Sequence, residues 1–335
     1  MPPEASPLTP PDPDNRPGLS RRTLLGAAAV VAGAATLCVA RRLNTPASSA
    51  SRLTLEPPDV AANAGYTDLA FHDDFTSMAS IDRYATGEEG HLWYADRPWV
   101  PGAVTSPGVI DVSDGVLTLN EDQERGSWGL GTVSPKSRAG RTFQHGYFEA
   151  RLWFDPTLGP KAAAWPAFWS LPTNQIFGTT APHHVEIDFF EAYHEPHGPY
   201  SGQFAGTVHD FTHSDSDSSS SSWQNTNNVS SSAPLTRAGW HEYGCLWQPG
   251  HLSWYLDGVQ MVGVTYGADI RPSCEVMNPQ TGTVARPMGM FSVADDRDAR
   301  VAIILSAGRG WPLKVDWVRV WSEPPSLESP LAQRS

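Results

Sequence analysis

From residue 66 onward the chain is written in short runs of β-branched and aromatic residues separated by turn signals, with no sustained helical period anywhere. That pattern predicts an all-β sandwich. Val109-Ile110-Asp111-Val112 and Val116-Leu117-Thr118-Leu119 flank an Asp114-Gly115 pair and read as a hairpin. The strand ending at Leu256 turns in the same way at Asp257-Gly258. In the run from Tyr147 to Phe154, one face carries Phe148, Ala150, Leu152 and Phe154, while Tyr147, Glu149, Arg151 and Trp153 form the other. Residues 213–232 are a low-complexity Ser/Asp/Asn stretch containing Trp223 and read as a flexible loop.

Glu186-Ile187-Asp188-Phe189-Phe190-Glu191 places three acids in an apolar run. On a regular strand Glu186 and Asp188 share one face, opposite Ile187 and Phe189, and Glu191 falls on the wrong side. One extra residue absorbed as a β-bulge at Phe189-Phe190 brings all three acids to the same face. Crowding like charges destabilises a strand, so a purely structural sheet has little reason to do it. Paired carboxyls about 5–5.5 Å apart are the requirement of retaining glycoside hydrolysis, one as nucleophile and the other as acid/base. A mixed polar and aromatic sheet face such as Tyr147/Glu149/Arg151/Trp153 is what a sugar-binding cleft needs.

Glu-x-Asp-x-x-Glu resembles the bulged signature of glycoside hydrolase family 16, as in laminarinase-like and agarase-like members. Further segments carry the same resemblance in order: the opening strand from Tyr66 to Phe75, Gly146-Tyr147-Phe148-Glu149-Ala150-Arg151 and Trp165-Pro166-Ala167-Phe168-Trp169. Gly206-Thr207-Val208-His209, Trp240-His241-Glu242-Tyr243 and Trp254-Tyr255-Leu256-Asp257-Gly258 follow. Gly310-Trp311-Pro312 and Val315-Asp316-Trp317-Val318-Arg319-Val320 close the match, which covers roughly residues 66–322. The resemblance implies a jelly-roll β-sandwich of the concanavalin A-like lectin/glucanase type.

It also implies roles. Glu186 maps to the nucleophile, Asp188 to the assisting carboxylate and Glu191 to the acid/base; spacing alone does not say which Glu attacks. Trp165 and Trp169 are candidate sugar platforms in a chain with 13 Trp, since aromatic faces pack on pyranose rings. His209 and His184 are candidate polar contacts to substrate. No catalytic cofactor is implied, and a structural calcium with Asp316 as one ligand is. Laminarinase-like members usually carry Trp-Pro-x-x-Gly before the nucleophile, whereas Pro182-His183-His184-Val185 stands here, so the substrate expected is a β-linked glucan or galactan. Transglycosylation, or carbohydrate binding without catalysis, would use the same fold.

Ser20-Arg21-Arg22-Thr23-Leu24-Leu25 is a twin-arginine pattern ahead of a weakly hydrophobic stretch, residues 24–40. The expected organisation is a twin-arginine signal at 1–50, a linker at 51–64, a catalytic domain at 65–323 and a tail at 324–335, with export as the destination. At 17 residues the apolar stretch is marginal for a spanning helix, and an uncleaved N-terminus is the expected membrane contact if there is one. Without residues 1–50 the net charge of −13 becomes −15, since five Arg and three acids go with them. Such a surface argues against nucleic acid as a partner. The expected partner is a polysaccharide, bound by a monomer. Cys245 and Cys274 are the cysteines of the mature part, as buried thiols or as a pair.

Overall fold

Both Asp-Gly pairs close hairpins. Asp114 and Gly115 have φ of 53° and 71°, and Asp257 and Gly258 have 50° and 76°. Positive φ at both central residues is the two-residue turn whose twist matches paired strands.

The computed structural model describes residues 56–100, 102–120, 128–155, 166–178, 183–193, 203–213, 223–234, 238–265, 273–276, 283–286, 300–308 and 311–324. The twin-arginine segment therefore lies outside the described residues, as do residues 51–55 and 325–335. Along the chain run β1 (Asp68–Asp73), β2 (Ile81–Asp82), β3 (Trp93–Tyr94), β4 (Ile110–Ser113), β5 (Val116–Leu119) and β6 (Trp128–Gly131). Then come β7 (Gly146–Phe154), β8 (Ala167–Pro172), β9 (His183–Tyr193), β10 (Gln203–His213), β11 (Trp223–Pro234) and β12 (Gly239–Gln248). The last are β13 (His251–Leu256), β14 (Val259–Thr265), β15 (Ser273–Val276), β16 (Thr283–Arg286), β17 (Val301–Ala307) and β18 (Leu313–Ser322). α-Helix is confined, among the described residues, to α1 (Asp59–Asn63) and α2 (Thr173–Ile176), and two single 3-10 turns stand at Met78–Ser80 and Pro107–Val109.

These strands form two sheets. One has the order β15-β14-β13-β12-β7-β18-β5-β4, with β1 also on β18; the other runs β16-β11-β10-β9-β8-β17-β6-β3-β2. Neighbours are antiparallel throughout except β2 and β3. The core is the space between the sheets. Phe148, Ala150, Leu152 and Phe154 of β7 meet Phe168 of β8, Ile187 and Phe189 of β9 and Ile303 and Leu305 of β17. Phe148 and Phe189 stack with centroids 4.8 Å apart across the sandwich. The all-β jelly-roll expectation is met.

Two local expectations are revised, and one left open is decided. Residues 58–64 do not behave as an extended linker, because α1 buries Ala61 beside Tyr66, Tyr147, Leu246, Tyr255 and Trp321 on the outer face of the first sheet. The Ser/Asn stretch from Trp223 onward is strand, not loop. Asn is a poor strand former, yet β11 pairs along β10 from Gln203↔Pro234 to His213↔Trp223, so pairing overrides propensity. Cys245 is a free thiol in the core, and burial pushes its pKa well up.

Candidate active site

β9 has neighbours on both edges, β8 and β10, which fixes its register from two sides. On β8, Trp169 faces Asp188, Phe168 faces Phe190 and Ala167 faces Glu191, with the register shift between Phe168 and Trp169. On β10, Thr207 faces Asp188 and Ala205 faces Glu191, with a shift at the same level. One extra residue of β9 is thus absorbed at Phe189-Phe190. Both rings turn inward, each at most 1% exposed. Phe189 lies 4.8 Å from Phe168, and Phe190 lies 4.4 Å from Tyr243 and 5.8 Å from Phe154. Two consecutive inward residues return the next one to the outer face. Glu186, Asp188 and Glu191 consequently share the outer face of the second sheet.

The surroundings of the three acids differ. Asp188 is fully buried, Glu191 is 9% exposed and Glu186 is partly open. His209 on β10 stands directly opposite Glu186. Its Nε2 is 3.0 Å from Oδ2 of Asp188 and 4.0 Å from Oε1 of Glu186. One polar side-chain atom from each of Glu186, Asp188 and His209 lies within 4.8 Å of the other two, so the three form a single cluster. A carboxylate held by an imidazole beside two further carboxyls gives one fixed, buried acid between two more accessible ones. Such a set can attack, protonate and orient at one place.

Trp169 also belongs to this face. Its Nε1 donates to Ser306 Oγ at 3.1 Å, and its ring meets Trp99 edge-on at 5.5 Å. Trp99 is carried by a tight excursion between β3 and β4, in which Asp96 bridges Val104. Thr105 anchors its base, donating Oγ1–H to the Gly129 carbonyl at 2.6 Å and accepting from the Gly129 N–H at 2.9 Å. Sequence reasoning missed Trp99 and Thr207, and no local signal marks either. Trp165 lies outside the described residues; His184 lies on β9 opposite Phe211, with a side chain outside the described ones.

The Tyr147/Glu149/Arg151/Trp153 face is not part of this site. β7 belongs to the other sheet, and its polar face is the outer face there, separated from the acids by the whole core. Trp153 packs against Trp240 at 5.8 Å, and Arg151 lies over the Trp240 ring at 5.3 Å. Asp316 sits on the same face, at a register shift between Val315 and Trp317. Its carboxylate is only 5% exposed and accepts from Nη1 of Arg151 at 2.5 Å. A calcium ion there would displace a guanidinium that already neutralises its one identified ligand, so the residues present do not fit the expected calcium site.

Several known proteins are similar. A beta-glucanase of Rhodothermus marinus is 24% identical over 208 residues, 59% of this chain, and the match spans 66% of that relative's length, just under two thirds. LamAcat from Zobellia galactanivorans has a TM-score of 0.46 at 17% identity, covering 77% of this chain and 99% of that one. A pseudo beta-1,3-glucanase of Mycobacterium tuberculosis has a TM-score of 0.42 at 19% identity, covering 76% and 98%. The sequence pattern of the glycosyl hydrolases family 16 matches residues 102–287, more than half of the chain, and the protein belongs to that family.

Proposed function

We propose that the protein is an exported, retaining endo-glycosidase that cleaves internal linkages of a β-linked glucan or galactan. The observation that carries this reading is the bulge at Phe189-Phe190, which gathers three carboxyls on one outer sheet face beside an imidazole and an aromatic wall. Glu186 attacks the anomeric carbon, and its bond to the sugar replaces the glycosidic bond. Glu191 gives its proton to the departing oxygen, then takes one from the water that releases the glycosyl group. Asp188, held by His209, orients Glu186 and moderates its charge. Trp169 and Trp99 offer an apolar surface to a neighbouring sugar. The twin-arginine pattern at Arg21-Arg22 supports export of the already folded domain.

Purified protein is to be tested on laminarin, mixed-linkage glucan, agarose, porphyran and carrageenan. On the polysaccharide that is cleaved, Glu191→Gln should lower kcat by about 10²–10⁴-fold, the range for losing a general acid. Glu186→Gln should abolish turnover, and Asp188→Asn should do less damage than either. Near-wild-type turnover in either Gln variant refutes the assignment. Products longer than the starting oligosaccharide would identify transfer to sugar in place of water, with the same residues in the same roles.

A further inference from the structure

Facing the bulge from the opposite sheet is Trp254 of β13, fully buried between its pairing partners Cys245 and Val262. Its indole N–H crosses the sandwich and donates to the main-chain carbonyl of Asp188 at 2.9 Å. That carbonyl belongs to the Asp188–Phe189 peptide, where β9 leaves regular alternation. The route is open because of a glycine. Gly206 lies on β10 between Ala205, which faces Glu191, and Thr207, which faces Asp188. A Cβ on Gly206 would stand 2.2 Å from Cδ1 and 2.3 Å from Nε1 of Trp254, so the indole fills the space where that side chain would be.

We propose that Trp254 is a positioning residue for the catalytic acids. Its indole N–H pins the Asp188–Phe189 peptide and thereby fixes the directions in which Asp188 and Glu191 leave the strand. The inference rests on the assignment of those acids under the proposed function. A bulge sets the aim of the side chains around it, and its backbone has more freedom than a regular ladder. Between Asp188 and Glu191 the chain carries two Phe whose rings hold it by packing, which resists displacement but has no single direction. A hydrogen bond to the carbonyl at the bulge's first peptide supplies the direction. Trp254 touches no substrate in this account and acts only through β9.

The test separates aim from general core stability. Trp254→Phe keeps a large ring and removes the donor; 3-benzothienylalanine at position 254 replaces only the N–H by sulfur and serves where the Phe variant fails to fold. Gly206→Ala pushes the indole away from the other side. Trp93→Phe is the control, because Trp93 is equally buried and donates to Asp73 Oδ2 at 3.0 Å, yet lies four strands from β9. Loss of aim should lower kcat by about 10–100-fold with KM within about twofold, the pattern of misplaced catalytic groups. The carboxyl ¹³C titrations of Asp188 and Glu191 in the free protein, assigned with Asp188→Asn and Glu191→Gln, should move by about half a pH unit or more. Trp93→Phe should lower the thermal midpoint and leave kcat and both titrations unchanged. Position-254 variants matching Trp93→Phe in kcat and titration would overturn the positioning role. An active Glu191→Gln enzyme would instead overturn the underlying assignment, and the titrations would still decide whether Trp254 aims the acids.

Discussion

Replacing Glu149 by Gln should stabilise the protein in mildly alkaline solution and leave it unchanged in acid. Glu149 is on the outer face of the first sheet, 5% exposed, opposite Gly244 on β12 and Arg319 on β18. One oxygen accepts from Nε1 of Trp321 at 2.9 Å. Burial is the largest influence and pushes its pKa from the ordinary 4.5 to about 7, with Glu242 adding to the rise and the Trp321 bond and Arg319 opposing it. The folded state therefore holds this proton more tightly than the unfolded chain. Below pH 4.5 both forms are protonated and the stabilisation is fully present; it drains away as pH rises to about 7 and is constant above that. At about 1.4 kcal/mol per pH unit, the interval from 4.5 to about 7 amounts to roughly 3 kcal/mol. Gln keeps an oxygen for Trp321 and has no proton to lose. Urea unfolding across this range should show Glu149→Gln equal to wild type near pH 4.5 and more stable by roughly 3 kcal/mol near a pH of about 8. Stability curves that run parallel over the whole range would refute the reasoning, because Glu149 would then bind its proton equally in both states.

Three further outcomes follow from the same geometry. Proton NMR of the first product from a β-linked substrate should show the β anomer, since two carboxyls on one strand face leave no place for an intervening water; an α product would mean inversion. Deleting Phe190 should leave β9 pairing regularly, with Phe189 opposite Gly206 and the third acid still opposite Ala205, at a stability loss of about 3–5 kcal/mol for the missing ring. Chemical denaturation together with a crystal structure of the variant would check both points, and a third acid found in the core would contradict the register. Replacing Arg21-Arg22 with Lys-Lys should retain active protein inside the cell, measured as activity in lysate against medium; normal secretion would count against the twin-arginine route.

The resemblance to family 16 and the sandwich were legible because they rest on local patterns. Asp114-Gly115 and Asp257-Gly258 dictate their turns, and the spacing of Glu186, Asp188 and Glu191 locates the bulge to the residue. What was not legible depends on the other sheet. Alternation divides β7 into two faces correctly, but whether the polar face lines a cleft or lies on the far side depends on which sheet β7 joins. The pairing of Arg151 with Asp316 joins residues 165 positions apart, and that contact removes the expected calcium ligand. β11 was hidden for a different reason: its Ser and Asn residues carry no strand signal, and β10 imposes the conformation. No local pattern marks Trp99, whose place depends on Thr105 fixing the base of its excursion against Gly129.

The bulge also explains why this chemistry can sit in a central strand. An acid cluster on a sheet face loses stability by charge repulsion and by desolvation, and β9 offsets both on its inner side. Ile187, Phe189 and Phe190 contribute three buried side chains over the same stretch that carries three acids. Each of these fully buried apolar side chains contributes about 1.5–3 kcal/mol, which opposes the repulsion on the outer face. A regular strand of the same length would turn only two of those side chains inward, so the extra residue adds core and re-aims Glu191 in a single step. Stability and site geometry are therefore coupled at Phe189-Phe190: the two rings that pack into the sandwich here are also what brings the third carboxyl to the outer face.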